Sequence, residues 1–282
     1  MRTDKNDITD DDFQKFREYF YRKTGIDFDL AKRYFVDRRL LERIEATNSG
    51  SFRTYFNKLR LEASGLELQQ LTNLMTINET YFAREEYQFE ALVNSLLPDL
   101  IKRKTDTKPI RIWCIPSSSG EEAYTVAMFL LERWPGINKW DVEIISSDID
   151  TGILIKARAG RYSARSVHHL PRTWLQKYFR PIKDEFQISD ELREAVEFTR
   201  VNLAAPADTR SYRNFDVIFC RNLLIYFDDV SRKAAAETFF DALNPGGFLC
   251  LGHSESMSRI SSIYTVRKFP SAIVYQKPLE SR

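Results

Sequence analysis

The feature that most constrains this chain is a change of rhythm near Arg84. From Thr9 to about Asn78 apolar residues recur at helical spacing without convincing strands: Phe13, Phe16 and Phe20 share one face, and Leu40, Leu41 and Ile44 another. Beyond Arg84 the pattern becomes IRIWCI (110 to 115), EEAYTVAMFLLERW (121 to 134), VEIISSDI (142 to 149) and TGILIKARAG (151 to 160). Strand, helix, strand, helix predicts a parallel sheet with right-handed crossovers. With 282 residues, 43% of them hydrophobic, the chain can bury one large core and one small one. The expectation is an α/β protein: a helical domain over 1–78 and a Rossmann-like sheet domain over 79–282.

Local signals refine that division. Thr9 followed by Asp10, Asp11 and Asp12 predicts a capped helix start with acidic groups facing the helix dipole. FDVIFCRNLLIYF (215 to 227) reads as a buried strand running into a turn, with a helix to about Leu243; Asn244, Pro245, Gly246 and Gly247 turn the chain into FLCLGHSES, and IVYQK supplies a last strand. The rhythm breaks between Arg161 and Asn202, where KYFRPIKDEFQIS alternates and turns as a short antiparallel hairpin. A small inserted β subdomain is expected over about 161–202.

Several function classes are disfavoured at this level. The 42 Lys and Arg nearly cancel the 40 Asp and Glu, and no basic-aromatic strip stands out, so nucleic acid is not an expected partner. No run approaches the roughly 18 apolar residues of a membrane span, and the first residues lack a signal-peptide core, so a cytoplasmic protein without membrane insertion is expected. Cys114, Cys220 and Cys250 lie singly in strand-like stretches and are expected to be buried free thiols. His168, His169 and His253 are not spaced as metal ligands, so no metal site is expected.

The segment WCIPSSSGEEAY sits where a strand turns into a helix, the place where doubly wound sheets bind nucleotides. It is neither a GxGxxG nor a Walker loop, and Glu121 and Glu122 argue against a phosphate. A ribose or a cationic sulfonium fits this turn better. Asp148 ends the next strand, where a carboxylate can accept hydrogen bonds from both ribose hydroxyls; a helix cap before Thr151 is its competing role, and the stronger one for Asp150.

The ordered set NETYFAR (78 to 84), SSGEEAYTVAM (118 to 128), SSDIDTGILIKARAGRY (146 to 162), VNL (201 to 203), FDVIFCRNLLIYF and NPGGFLCLGHSES (244 to 256) resembles the chemotaxis receptor methyltransferase family, CheR, over nearly the whole chain. The resemblance implies a helical N-terminal domain, a class I methyltransferase domain that uses S-adenosylmethionine and releases S-adenosylhomocysteine, and a small antiparallel subdomain inserted in it. It implies that Asn78, Thr80 and Arg84 reach the cofactor from the interdomain linker and that Glu122 and Asp148 hold its amino-acid and ribose regions. Asn202, Leu203, Arg221 and Asn222 would line the rest of the pocket, with Arg84 and Tyr226 nearest the transferred methyl. The implied substrate is a glutamate carboxylate on the cytoplasmic helical bundle of chemoreceptors. Such a carboxylate, with a reference pKa of about 4.3, is ionised at neutral pH and needs no general base.

Where family members usually carry Gly or Ala, Cys, and a second aromatic, this chain has Pro116, Ser117 and Ala83. An alternative reading is therefore a catalytically weakened cofactor-binding regulator. The basic run containing Arg38, Arg39 and Arg43 is expected either to form a solvated face or to dock an acidic partner. The insertion looks short and lacks hairpin-loop glycines, which predicts independence from a receptor's C-terminal pentapeptide; a monomer is expected.

Overall fold

The computed structural model describes residues 8–104 and 107–279. The N-terminal region is built from helices α1 (Asp10–Thr24), α2 (Arg33–Ala46), α3 (Phe52–Leu61) and α4 (Leu66–Met75). The expected start of α1 is present as a capping box, with Thr9 accepting from the Asp12 N–H and the Asp12 side chain accepting in return. Phe13, Phe16 and Phe20 are buried together with Val36, Leu40 and Ile44 in one apolar cluster. Each such side chain contributes roughly 1.5–3 kcal/mol when fully buried. Leu41 does not join them: at 100° per residue it leaves the stripe of Leu40 and Ile44, and it is exposed.

After α5 (Glu86–Ala91) and α6 (Leu97–Ile101) comes the sheet: β1 (Ile110–Cys114), α7 (Glu121–Arg133), β2 (Val142–Asp148) and α8 (Thr151–Ala159), as the alternating pattern predicts. The remaining strands are β3 (Arg161–Ser163), β4 (Phe179–Ile182), β5 (Glu185–Ile188), β6 (Val196–Arg200), β7 (Phe215–Cys220), β8 (Leu243–Leu251), β9 (Thr265–Lys268) and β10 (Ile273–Gln276). Among the described residues the main sheet runs β6-β2-β1-β7-β8-β10-β9, with its first five strands parallel and β10 antiparallel to both its neighbours, β8 and β9. The sheet thus reverses its winding at β1, between β2 and β7.

The hairpin read from KYFRPIKDEFQIS is β4 and β5, joined with β3 in a three-stranded antiparallel sheet. The expected extent of the insertion to about 202 needs correction. Val196–Arg200 lies parallel to β2, from Ile144↔Val196 to Asp148↔Arg200, and is the edge of the main sheet. Its alternating pattern is what a strand covered on only one face shows, so a parallel edge strand passed for part of an antiparallel unit. Strand β9 was not anticipated either.

The sheet's two faces carry separate apolar clusters, one including Ile112, Cys114 and Phe219, the other Trp113, Ile218 and Phe239. The three thiols are free and buried, and burial pushes each of them well above the ordinary range.

Candidate active site

A cavity of about 320 Å³ opens at the carboxyl ends of β1, β2 and β7, where the winding reverses. Its floor is the turn from β1 into α7. There Ile115–Pro116 is a cis peptide, Ser118 has φ +48° and Gly120 φ +92°. A Cβ on Gly120 would lie 3.1 Å from Phe198 and Tyr124 and 3.2 Å from Ala157, so this close, left-handed turn requires glycine. Pro116 is accommodated because the N–H groups that hold the loop belong to its neighbours: Ser117 donates to the Ser147 carbonyl (2.7 Å) and Ser118 to Asp148 Oδ2 (2.8 Å).

Asp148 ends β2 and is only 3% exposed. Burial raises its carboxyl to about 6, against the pull of the Asp150 and Ser118 N–H groups. Each carboxylate oxygen takes one of these backbone bonds (Asp150 N–H to Oδ1 at 2.9 Å), so each keeps a further lone pair for a ligand. Asp150 performs the capping role: its Oδ1 accepts the Ile153 N–H, while Oδ2 accepts Thr76 Oγ1 (2.7 Å) and Asn78 Nδ2 (2.9 Å).

Glu122, in the first turn of α7, meets Arg221 at the end of β7, with Arg221 Nη1 donating to Glu122 Oε2 at 2.9 Å. Arg221, 5% exposed, also donates to the Arg84 carbonyl (2.5 Å), lies 3.3 Å from Glu85 Oε2 and stacks over Phe89. Burial raises the Glu122 carboxyl and the Arg221 charge pulls it back; the two carboxylates outweigh burial at Arg221 and push the guanidinium up. Glu85 is lowered on balance: burial, which alone would raise it, is overcome by His253 and Arg221. Glu122, Arg221 and Ser117 line the cavity, and Glu122 Oε1, Arg221 Nε and Ser117 Oγ are buried away from solvent without a hydrogen-bond partner among the described residues. Unpaired buried polar atoms of this kind cost roughly 1–3 kcal/mol each.

The other predicted residues converge on the same cavity. Asn78, Thr80 and Arg84 enter from the segment after α4, where Ala83 (φ +58°) and Glu85 (φ +57°) bend the backbone and Arg84 Nη1 holds the Glu79 carbonyl at 3.1 Å. Ala83 is buried, with its N–H donating to Thr125 Oγ1. Leu203, Asn222 and Tyr226 line the opposite wall. Burial raises the half-buried Tyr226 hydroxyl, the Glu79 charge adds to this, and Arg84 opposes it. Asn202 also borders the cavity, but its amide is used within the protein, Nδ2 on the Lys23 carbonyl (2.7 Å) and Oδ1 accepting the Ala204 N–H (3.0 Å).

Some lining residues were not foreseen. Thr24, Ile26 and Phe28 come from the N-terminal region, where Ile26 bridges Phe227 and the Asp27 N–H donates to the Tyr226 carbonyl. Ile26 and Phe28 are apolar and the Thr24 hydroxyl is spent on the Phe20 carbonyl, so none carried a signal distinguishing it from core. Glu85, which pairs with Arg221 behind the lining, was also missed, because an acidic residue in a loop reads as solvated until its partners are known.

The basic row of α2 is not one exposed face. Arg38 is open to solvent. Arg39 donates to the Leu74 and Phe35 carbonyls, and Arg43 is bidentate on Glu67. His168 and His169 stack on each other in the insertion, and His253 bonds Glu85 at 2.8 Å. Among the described residues no group of three or more His, Cys, Asp or Glu is arranged to hold a metal.

A reversed-winding sheet that closes with an antiparallel strand pair, an acidic strand end and an acid-lined cofactor turn define the class I, Rossmann-like methyltransferases. Residues 11–76 match the family described as CheR methyltransferase, all-alpha domain, and residues 78–273 match CheR methyltransferase, SAM binding domain. The chain belongs to the CheR methyltransferase family. It is 56% identical over 272 residues to chemotaxis protein methyltransferase 2 of Vibrio cholerae, covering 96% of this chain and 94% of that protein. It is 37% identical to chemotaxis protein methyltransferase 2 of Pseudomonas aeruginosa (90% of each chain) and 34% identical to the chemotaxis protein methyltransferase of Escherichia coli (94% and 91%). The site suits S-adenosylmethionine: the carboxylates of Glu122 and Asp148 line the cavity, where they can accept from an ammonium and a ribose diol.

Proposed function

We propose that this protein transfers the methyl group of S-adenosylmethionine to glutamate side chains on the cytoplasmic helical bundle of chemoreceptors, yielding glutamate methyl esters and S-adenosylhomocysteine. The observation that carries the reading is a single cavity lined by Glu122, Asp148, Arg84 and Tyr226 in a chain of this family. The cofactor supplies an electrophilic methyl on a sulfonium.

Glu122 and Asp148 take the cofactor's amino-acid and ribose ends, with Asn78, Thr80, Asn202, Leu203, Arg221 and Asn222 forming the remaining walls. Asn78 and Asn202 act in part indirectly, through Asp150 and the Lys23 carbonyl. Arg84 orients the incoming carboxylate through its N–H donors, and Tyr226 offers a weaker hydrogen bond that does not over-stabilise the ground state. Aligning oxygen, methyl and sulfur can by itself contribute several kcal/mol, and the apolar walls Phe28, Ile77 and Phe89 limit water.

We assign residues 1–78 to receptor docking, with Arg38 as its exposed basic group, and 79–282 to catalysis in the cytoplasm. Independence from a receptor tail peptide is supported by the β4–β5 hairpin, whose two-residue turn has Lys183 at φ +53° in place of a glycine-opened loop. Incubating the protein with methyl-labelled cofactor and receptor cytoplasmic fragments should give a base-labile label. A protein that binds cofactor yet leaves no such label would be a regulator instead.

A further inference from the structure

The turn that follows β7 carries Asn222 and Tyr226, and it is an unusual piece of backbone. Asn222 sits at φ +58°, in the left-handed region, and the chain then tightens into a short 3-10 turn at Leu224–Tyr226. Asparagine is one of the few non-glycine residues that visit this region readily, so the sequence supports the turn locally. What holds it further is Glu255, thirty-odd residues on, in the turn that follows β8. Its Oε2 accepts the Asn222 N–H at 2.8 Å and the Gly252 N–H at 2.9 Å, and its Oε1 accepts the Leu224 N–H at 2.8 Å. One carboxylate therefore satisfies N–H groups on two adjacent turns. Gly252 permits the approach, since a Cβ there would lie 2.9 Å from Glu255 Oε2 and 3.1 Å from Asn222 Nδ2.

We infer that Glu255 is a positioning residue for methyl transfer, acting through the Asn222–Tyr226 turn and touching neither cofactor nor substrate itself. The inference rests on the placement of Tyr226 beside the transferred methyl proposed above. Charge-assisted bonds to backbone N–H groups are among the stronger ones a side chain makes, and removing the acceptor leaves the donors unpaired. A glutamine at this position could still serve Asn222 and Gly252 with its carbonyl oxygen, but its NH₂ would face the Leu224 N–H, donor against donor. The turn would shift by tenths of an ångström just ahead of Tyr226, where alignment governs rate.

The test uses the full chain, methyl-labelled S-adenosylmethionine and a receptor cytoplasmic fragment. Glu255→Gln should slow single-turnover methyl transfer about 30-fold while changing the cofactor Kd less than about threefold. Gly252→Ala, which keeps the carboxylate but pushes the turns apart, should slow transfer about tenfold and carries the test should Glu255→Gln not fold. The double variant Glu255→Gln/Tyr226→Phe should be no more than about threefold slower than its slower parent, because both changes act on one group. Multiplicative losses, or a Kd that worsens in proportion to the rate, would overturn the positioning role. A wild-type rate for Glu255→Gln beside a slow Tyr226→Phe would overturn it alone; a wild-type rate for Tyr226→Phe would remove the Tyr226 assignment and this inference together.

Discussion

Two arginine–carboxylate clusters in this molecule use the same chemistry to different ends. In the N-terminal bundle Arg43 grips Glu67 through two bonds of 2.9 and 2.6 Å, and Tyr55 donates to the same carboxylate at 2.8 Å; burial drives the Tyr55 hydroxyl far above its ordinary range. In the sheet domain Arg221 balances Glu122 and Glu85, yet Glu122 Oε1 and Arg221 Nε keep no partner among the described residues. The first cluster ties α2, α3 and α4 together. The second is built from two residues that line the cavity at the carboxyl ends of the parallel strands, and it is this location, not an unpaired atom, that sets it apart from the first.

The comparison can be broken most severely at Arg221. Arg221→Met should leave Glu122 without its ion-pair partner and Glu85 with only neighbours such as His253 and Gln88, lowering stability by about 3–5 kcal/mol in denaturant unfolding and abolishing cofactor binding in calorimetry. Glu122→Gln separates the two properties: the cofactor Kd should rise about 30- to 100-fold, a loss of about 2–3 kcal/mol, with little change in unfolding midpoint. An equal loss of stability would show that Glu122 belongs with the first cluster. Glu67→Gln is the mirror case, expected to cost about 1–3 kcal/mol of stability while leaving the cofactor Kd at its wild-type value.

The pH response sharpens the contrast further. The Asp148 carboxyl, raised to about 6 from an ordinary 3.8, favours its protonated form in the folded protein. Its contribution to apo stability is therefore present below about pH 4 and lost as pH rises through about 6. Binding of a ribose diol to the ionised carboxylate has the opposite sign, so cofactor affinity should fall about tenfold per unit below pH 6. Asp148→Asn should flatten that profile in titrations from pH 5 to 8. The smallest effect is expected at the exposed Arg38: Arg38→Glu should raise the KM for receptor about threefold with cofactor Kd unchanged, since a single surface charge is worth about 0.2–1 kcal/mol.

Legibility in the sequence followed the range of the signal. The Thr9 cap, the Phe13, Phe16 and Phe20 stripe and the runs that became β1, α7, β2 and α8 are local patterns, and each was readable. Strand β6 was readable as a strand but not as a member of the parallel sheet, because an alternating edge strand looks the same in either context. Arg39 and Arg43 looked equivalent to Arg38 in sequence; only the packing of α2 against α4 shows that two of the three are turned to the protein itself. Within the site, Asp148 and the Gly120 turn announce themselves locally, whereas Glu85, Glu255 and the wall formed by Thr24, Ile26 and Phe28 do not.

By itself the sequence determined the architecture, a helical region followed by a doubly wound sheet, and through ordered motifs its family and cofactor. Hydrophobic periodicity and turn chemistry act over a few residues, so they can be read without coordinates. The tertiary structure decided where each charge is spent: Asp150 on the α8 cap and Asn78, Arg43 on Glu67, Glu255 on the turn before Tyr226, and Glu122 on Arg221 beside the cavity. A polar group's role depends on partners tens or hundreds of residues away, and only the fold brings those partners within hydrogen-bond reach.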